Sequence, residues 1–309
     1  MASAALSQPA FLGLDAGGSA TRWALADAAG TLQREGAVAG LSGLQLHDAA
    51  GRAAVTQALR DVAAAAGPVH GIVAGVTGLD AAQQPLLSGL LAGALGVAAS
   101  TVQAMSDIEL TCRGAFAPGQ GCVLVAGTGS IAACIDALGT LHRAGGRGAV
   151  IDDAGGGHWI ACQALRQVWR AEDAAPGAWQ TSALARRLFG HIGGTDWAQT
   201  RQWVYGASRG ELGTLALAVA AAAAADEDAA ALTILQRAGM ELARLARVLL
   251  QRHGPQPLAL AGRVFELHPA IEAQLRLALA PGTPVHRLRE PAHVAAARLA
   301  AQSAAPCRA

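Results

Sequence analysis

Short apolar runs end in polar or glycine-rich segments at several points along the chain. Phe11 to Asp15 is such a run, and Arg22 to Ala26 follows it after a glycine-rich segment, which predicts a β-hairpin. Thr101 to Met105 predicts another short strand, with Ser106 and Asp107 at its end and a helical stretch beyond them. Strands and helices mixed in this way indicate an α/β fold.

The hairpin pattern occurs twice, at an offset of 109 positions (127 − 18) and without a gap. Both copies read as strand, glycine loop, strand, turn, strand, and polar residues coincide as well as alanines and glycines. Such a repeat predicts two related domains, each with its own glycine-rich loop. The matched pairs are Gly18 and Gly127, Ser19 and Thr128, Thr21 and Ser130, Asp27 and Asp136, Gly30 and Gly139, Thr31 and Thr140, Leu32 and Leu141, and Arg34 and Arg143.

Each glycine loop offers backbone N–H groups and a hydroxyl, because glycine accepts a positive φ and lets the backbone approach a ligand closely. Gly17 and Gly18 alone would favour a tight hairpin turn, but Asp15 at the end of the preceding strand is placed to hold Mg²⁺ directly or through water. Paired loops suit a polyphosphate. The Walker pattern G-x-x-x-x-G-K-[ST] is absent, and no G-x-G-x-x-G lies between a strand and a helix.

Composition narrows the functional classes. A chain of 309 residues predicts two domains with a cleft between them, and a net charge of about +1 argues against a nucleic-acid partner. Five cysteines without a C-x-x-C pair fit reduced thiols. Residues 1–9 lack the features of a signal peptide, and the Ala-rich stretch from Leu212 to Ala225 is too short to span a bilayer. We therefore expect a cytoplasmic protein with no membrane partner.

Five motifs resemble, in order, those of the N-acetylglucosamine kinase and BadF/BadG-type ATPase family. The resemblance covers about residues 11 to 300, nearly the whole chain, and the order of the motifs makes it specific. The motifs are Asp15-x-Gly17-Gly18-Ser19-x-Thr21, Ser106-Asp107, Gly127-Thr128-Gly129-Ser130, Gly146-x-Gly148 through Asp153 to Trp159, and Leu260-Ala261-Gly262.

The resemblance implies two ribonuclease-H-like domains of the actin-like ATPase type, with ATP and a sugar in the cleft between them. We expect the N-terminal domain to span residues 1–112, completed by a C-terminal helix at 291–309, and the second domain to span 113–290. The implied activity is an ATP-dependent sugar kinase that phosphorylates an amino sugar, N-acetylglucosamine or glucosamine, at O6. Mg²⁺ as cofactor and a homodimer are implied as well.

From the residues alone, Asp107 is equally an N-cap and a carboxylate at the strand end where α/β folds bind ligands. The resemblance implies the latter, with Asp107 as the general base that contacts the sugar. It also implies further ligand-binding residues. These are Gly17, Gly18, Ser19, Thr21, Gly127, Thr128, Gly129 and Ser130 for the ATP phosphates, Gly262 and Arg263 for adenosine, and Gly146, Arg147, Gly148, Asp153 and Gln45 for the sugar.

The sequence departs from the family pattern on the side predicted to bind the sugar. Gly43 stands where an Asn is common, so we expect Gln45 to supply the missing amide. Asp152 and Ala154 replace a usual Gly and a usual Glu, and Arg263 replaces the second Gly of the adenosine motif, which puts its guanidinium near the base or ribose. The family pattern is therefore kept in the two phosphate loops and changed among the residues predicted to bind the sugar.

Two other functions are compatible with the same motifs. An ATPase activator of a 2-hydroxyacyl-CoA dehydratase would need closely spaced cysteines for an iron–sulfur cluster, which the sequence does not show. A sugar sensor without catalysis would not need Asp15, Asp107 and both loops. The alternative for Asp153 is a place in a polar loop before the helix that begins near His158.

Overall fold

The computed structural model describes residues 9–304, which form two compact α/β units. The first unit comprises residues up to Ala115 and from Arg289 onward, and the second comprises Phe116–Leu288. The prediction of two α/β domains is confirmed. The boundary expected after residue 112 lies inside a helix that continues to Ala115, so the first unit ends at the end of that helix instead.

The first unit is built on one five-stranded mixed sheet with strand order β3-β2-β1-β4-β5. β1, β2 and β3 form an antiparallel meander, whereas β4 and β5 run parallel to β1 because helices connect them. Its strands and helices are β1 (Phe11–Ala16), β2 (Ala20–Ala26), β3 (Leu32–Ala39), α1 (Ala49–Ala66), β4 (Gly71–Val76), α2 (Gln84–Leu95), β5 (Val102–Ser106), α3 (Asp107–Ala115) and, from the end of the chain, α12 (Ala292–Ala304).

Glycine lets α12 pack closely on β1. A Cβ on Gly13 would overlap the backbone of α12 at His293 and Ala297, so only glycine fits at this position. Phe11 and Leu110 pack with the buried alanines of α12 on this face of the sheet. The described part of α12 therefore belongs to the first unit, while residues 305–309 of the predicted C-terminal helix lie outside the described residues.

The second unit repeats this topology. Its five-stranded sheet has the order β10-β9-β6-β7-β8, so a meander of β6, β7 and β8 is again followed by two parallel strands. Its elements are β6 (Cys122–Ala126), β7 (Ser130–Ile135), β8 (Leu141–Gly145), α4 (Gly157–Ala174), α5 (Ala183–Ile192), α6 (Trp197–Gly206), α7 (Arg209–Gly213), α8 (Leu215–Ala225), α9 (Ala229–His253), β9 (Leu258–Ala261), α10 (Val264–Leu267), α11 (Pro269–Ala278) and β10 (Val285–Arg287).

The turn between the second and third strands is the same in both units. Asp27 Oδ1 accepts hydrogen bonds from the N–H groups two and four residues further on, each at 2.9 Å, and Asp136 Oδ1 does the same at the same distances. Gly30 and Gly139 follow with φ of +80° and +84°, a conformation that favours glycine. The repeat found in the sequence is therefore a repeat of structure.

Each unit has its own apolar core. In the second unit Leu124 of the sheet packs with Leu188 of α5 and with Leu235 and Leu242 of α9, and none of the four is exposed. Burying each such side chain stabilises the fold by roughly 1.5–3 kcal/mol. Within residues 9–304, no helix has both the length and the apolar character needed to cross a membrane.

Candidate functional site

The carboxyl ends of parallel strands bring two carboxylates to one edge of the first sheet. Ala16 pairs with Val76, and Val76 pairs with Ser106, so β1, β4 and β5 end side by side. Asp15 is the next-to-last residue of β1, and Asp107 directly follows β5. Ligands of α/β folds bind at such an edge.

Asp107 is not the N-cap of α3. The preceding residue performs that role, because Ser106 Oγ accepts a hydrogen bond from the Glu109 N–H at 3.3 Å. Asp107 is the first residue of the helix, half-buried, and its Oδ1 accepts from the Ile108 N–H at 2.8 Å. This bond engages one carboxylate oxygen, and Ser106 supplies the cap, so the helix does not need Asp107 as its N-cap.

Asp15 has an altered protonation equilibrium. Burial raises the pKa of Asp15 above its ordinary value, and the like charge of Asp107 raises it further, while His293 and Arg22 act in the opposite direction. Two neighbouring carboxylates repel each other unless a cation or a proton offsets one charge. A cation bound at this edge of the sheet would therefore stabilise the ionised form of Asp15.

The side chains present suit a magnesium ion shared with a ligand. Among residues 9–304, no cluster of three or more His, Cys, Asp or Glu side chains forms a complete metal cage. Mg²⁺ commonly takes one or two carboxylates and completes its shell with water and phosphate oxygens. Asp15, half-buried and repelled by Asp107, is a carboxylate suited to be such a ligand.

Replacing Asp15 by asparagine should raise the melting temperature at neutral pH. A carboxylate with a pKa raised by folding binds protons more tightly in the folded state, so its ionised form costs stability above its ordinary titration range. Asparagine removes the charge and the cost, and the gain should shrink as the pH falls into that range. Thermal unfolding at several pH values measures this change, with Asp61→Asn, at an exposed residue of α1, as control. A lower melting temperature of Asp15→Asn at neutral pH would contradict the prediction.

The first glycine loop, residues 17–19, offers two backbone donors. The Gly17 N–H donates to Ala20 O at 3.0 Å, whereas the N–H groups of Gly18 and Ser19 have no partner within the described residues. Ser19 is exposed, but Thr21 is fully buried in β2, so its predicted contact with phosphate is wrong in this conformation. The hydroxyl that this loop presents is that of Ser19.

The second loop, residues 127–129, is tied to the start of α4. Gly127 O accepts from the Gly157 N–H at 2.8 Å, and Thr128 O accepts from the His158 N–H at 3.0 Å. The backbone N–H groups of residues 128 and 129 have no partner within residues 9–304. These bonds hold the loop rigidly while leaving those two donors for a ligand.

Ser130 was predicted to contact phosphate, but like Thr21 its hydroxyl is buried. Ser130 is 3% exposed, and its Oγ donates to Ala154 O at 2.6 Å, so the hydroxyl ties the loop to the segment before α4. The available hydroxyl is that of half-buried Thr128. None of the loop glycines has a positive φ, and of the four only Gly129 lacks room for a Cβ, which would overlap the side chains of Arg209 and Asp153.

A cavity of about 510 Å³ extends from the second loop within the second unit. This volume lies in the range of about 300–1,000 Å³ typical of small-molecule sites. One wall is a stripe of small residues on α8, another is α10, and the loop closes one end. The lining residues are Gly127, Thr128, Gly157, Gly210, Gly213, Thr214, Ala216, Leu217, Ala220, Ala221, Ala224, Arg263, Val264, Glu266 and Leu267.

Of the two residues predicted to bind adenosine, Arg263 lines this cavity and Gly262 directly precedes Arg263 in the chain. Gly262 has a φ of +99°, and a Cβ there would overlap the backbone of Ala126, which directly precedes the second loop. Arg263 follows at the start of α10, is exposed, and lines the cavity together with Glu266. A flat apolar wall beside a loop with free N–H groups suits a nucleoside joined to phosphates.

Asp153 does not face solvent as expected for a sugar ligand. It is 5% exposed, and its Oδ2 lies 2.6 Å from Arg209 Nη2. A Cβ on Gly129 would overlap both of these side chains, so the ion pair lies against the second loop. The carboxylate predicted to hold the sugar is thus engaged with a cation beside the phosphate loop.

Three other residues predicted to bind the sugar lie in one turn, and Asp152, which departs from the family pattern, follows them in the chain. Gly146 and Gly148 have φ of +65° and +86° in an exposed turn after β8, which leaves Arg147 exposed and open to a ligand. Asp152 is committed elsewhere, because its Oδ2 accepts from Arg244 Nη2 at 2.8 Å.

Gln45, predicted to supply an amide to the sugar, uses its amide oxygen within the fold. Its Oε1 accepts from the Ser42 N–H at 2.8 Å, and Ser42 Oγ accepts from Leu44 N–H, which closes a capping box around the short 3-10 helix Gly43–His47. Gly43 is buried, and a Cβ there would overlap the backbone of Leu79, so no asparagine fits at this position. This departure from the family pattern is therefore built into the fold.

Sequence reasoning missed Arg209 and the wall formed by α8. From the sequence, the Ala-rich stretch that contains α8 was considered only as a candidate membrane span, yet residues of α8 recur at helical spacing on the cavity side as well as on the core side. The run of small residues that follows Gly213 in the sequence is the signal from which this wall could have been predicted. Arg209 carries no local signal, since only the fold brings it to the loop.

Comparisons with known proteins agree with this geometry. The sequence profile described as "BadF/BadG/BcrA/BcrD ATPase family" matches residues 12–296. No curated protein sequence matches the chain significantly.

Solved structures share the fold over almost the whole chain. A candidate N-acetylglucosamine kinase from Chromobacterium violaceum has 25% identity and a TM-score of 0.73, over 96% of this chain and 100% of that one. A candidate N-acetylglucosamine kinase from Porphyromonas gingivalis has 17% identity and a TM-score of 0.75, over 94% and 99%. A ROK family glucokinase from Streptomyces griseus, in complex with glucose and AMPPNP, has 16% identity and a TM-score of 0.60, over 95% and 98%.

Proposed function

The chain belongs to the BadF/BadG/BcrA/BcrD ATPase family, and we propose that it is an ATP-dependent sugar kinase that phosphorylates an amino sugar. The observation that carries the proposal is Asp107, held at the ligand-binding edge of the first sheet and not used as the helix cap. The 25% identity with the candidate N-acetylglucosamine kinase of C. violaceum, over its full length, supports the substrate class.

In the proposed reaction Asp107 is the general base. Its carboxylate accepts the proton of the sugar hydroxyl as the oxygen forms a bond to the γ-phosphorus of ATP. The bond between that phosphorus and the bridging oxygen breaks, and ADP leaves with the electron pair. The products are a sugar phosphate, ADP and a protonated carboxyl group that returns its proton to solvent.

The phosphates are stabilised by backbone donors. In each unit the glycine loop has N–H groups without a partner among the described residues, those of residues 18 and 19 and those of residues 128 and 129, and these are the donors that we assign to the phosphates. Asp15 would hold Mg²⁺, which would supply positive charge to the phosphates. The cavity beside the second loop takes the adenosine, with Arg263 near the base or ribose.

The sugar side of the proposal rests on fewer residues. Arg147, Gly146 and Gly148 form an exposed turn that can approach a sugar, whereas Asp153 and Gln45 are engaged within their own units. Amino-sugar specificity, transfer to O6, a homodimeric assembly and a cytoplasmic location remain predictions from the resemblance.

A panel of acceptors tests the proposal. ADP release should rise by at least about tenfold over the sugar-free rate with glucosamine or N-acetylglucosamine, because acceptor hydroxyl and base then react within one complex. N-acetylmuramic acid and glucose in the same coupled assay define the specificity. No stimulation by any of the four sugars would contradict the kinase and favour a non-catalytic sugar sensor.

A further inference from the structure

Arg209 is the first residue of α7, and its guanidinium lies against the second glycine loop. A Cβ on Gly129 would overlap Arg209 Nη2, so the cation is in contact with the loop backbone itself. This is the same loop in which residues 128 and 129 leave their N–H groups unpaired within residues 9–304. A positive charge thus stands beside two free backbone donors.

A buried carboxylate holds Arg209 in this position. Asp153 is 5% exposed, and its Oδ2 lies 2.6 Å from Arg209 Nη2 but has no partner in hydrogen-bonding geometry within the described residues. A buried charge is costly without a counter-ion, so the pair fixes the guanidinium at the loop. The single contact nevertheless leaves Asp153 poorly satisfied.

The Arg209 side chain keeps accessible surface for a ligand. The Arg209 side chain is 46% exposed, and only Nη2 is engaged with Asp153. Arginine carries five N–H donors in a planar fork that matches the geometry of phosphate oxygens. The donors directed away from Asp153 are therefore available to an anion.

The same short helix borders the cavity proposed for adenosine. Gly210, the next residue, lines that cavity together with Gly127 and Thr128, and Gly213 at the other end of α7 lines it too. Arg209 thus lies where α7 meets the loop, at the end of the cavity from which phosphates would extend. A nucleoside in the cavity would direct its phosphates toward this cation.

We propose that Arg209 binds the phosphates of the nucleotide at the second loop, and that Asp153 is the positioning residue that aims it. The inference rests on the proposed function for ATP as the ligand. It gives Asp153 a role on the phosphate side of the reaction, where the sequence had suggested the sugar side. The competing interpretation is an ion pair that only anchors α7.

Binding of a nucleotide series separates these two roles. Calorimetric titration compares ligands that differ only in phosphate: adenosine, AMP, ADP and ATP. It is carried out on the wild-type protein, Arg209→Gln and Arg209→Lys. Arg209→Gln should weaken ATP by about 10- to 100-fold, as expected for charge-assisted hydrogen bonds, and adenosine by less than about twofold. Arg209→Lys keeps the charge without the fork and should fall between. Arg237→Gln, an exposed arginine on α9, is the control.

A paired variant covers the case in which Arg209→Gln fails to fold because Asp153 is left buried and unpaired. Arg209→Gln/Asp153→Asn removes both charges and should still lose ATP affinity selectively. Asp153→Asn alone keeps the cation and should retain more ATP affinity than the double variant. Equal loss for adenosine and ATP, or unchanged ATP affinity, would overturn the inference.

The outcome is independent of sugar phosphorylation. If wild-type protein binds ATP more tightly than adenosine, and Arg209→Gln removes that preference, the inference stands even when no sugar stimulates ADP release. If sugars stimulate ADP release and Arg209→Gln binds ATP normally, the kinase proposal stands and the role of Arg209 is refuted.

Discussion

Replacing Asp107 by asparagine should lower kcat for sugar phosphorylation by at least about 100-fold, the lower range for loss of a general base. Asparagine is isosteric and its carbonyl oxygen can still accept from the Ile108 N–H, which Asp107 now does at 2.8 Å. Ser106 continues to cap α3, so the helix keeps its start. The protein should therefore fold and bind ATP normally, and steady-state kinetics should place the loss in kcat rather than in KM for ATP.

Glu109 provides the matched control for this experiment. It lies two residues further along α3, and its carboxylate pairs with Arg113 at 2.9 Å on the helix surface. Such a surface pair contributes roughly 0–1 kcal/mol, so Glu109→Gln should change kcat less than about twofold. Near-wild-type kcat in Asp107→Asn, or an equal loss in both variants, would refute Asp107 as the base.

Filling the cavity beside the second loop should strongly weaken nucleotide binding. Ala221 lies on the α8 wall of the 510 Å³ cavity, and a tryptophan there would occupy the space assigned to adenosine. We expect Ala221→Trp to weaken both adenosine and ATP by at least about 100-fold. Calorimetric titration measures both, and the parallel loss distinguishes this variant from Arg209→Gln, which should spare adenosine.

Ala225→Trp is the control for the cavity variant. Ala225 ends the same helix, is exposed, and does not line the cavity. Its substitution should leave the affinity for adenosine within about twofold, as for surface changes away from a site. Normal ATP binding by folded Ala221→Trp would move the nucleotide away from this cavity.

The fold was predictable because its signals are local. Asp27 and Asp136 occupy equivalent turn positions in the two copies, and in both units the carboxylate bonds the same backbone groups. Short polar side chains and glycine impose such turns whatever surrounds them. The place of Asp107 at a strand end was likewise predictable, since it follows directly from where β5 stops.

The orientation of the hydroxyls was not predictable from spacing. Thr21 and Ser130 occupy equivalent places after the two loops and were both assigned to phosphate, but each begins or lies in a strand whose side chains alternate between faces. In both, the alternation turns the side chain into the unit. A pattern of residue types indicates a loop's chemistry but not which side of the sheet each side chain enters.

Long-range contacts account for the remaining differences. Asp153 meets Arg209 only because α7 returns to the second loop, and no periodicity links the two in the sequence. Gly43 is fixed by the backbone of Leu79, which is also remote from it along the chain. Contacts of this kind change what a motif residue does without changing the motif.

The most direct test is the fate of the terminal phosphoryl group of ATP. Wild-type protein incubated with Mg²⁺, ATP and N-acetylglucosamine or glucosamine should yield ADP and a sugar phosphomonoester in equal amounts, quantified together by mass spectrometry and phosphorus NMR. Asp107→Asn should yield neither at a comparable rate. ADP accompanied by free inorganic phosphate, with no phosphorylated sugar, would identify an ATPase and contradict the kinase.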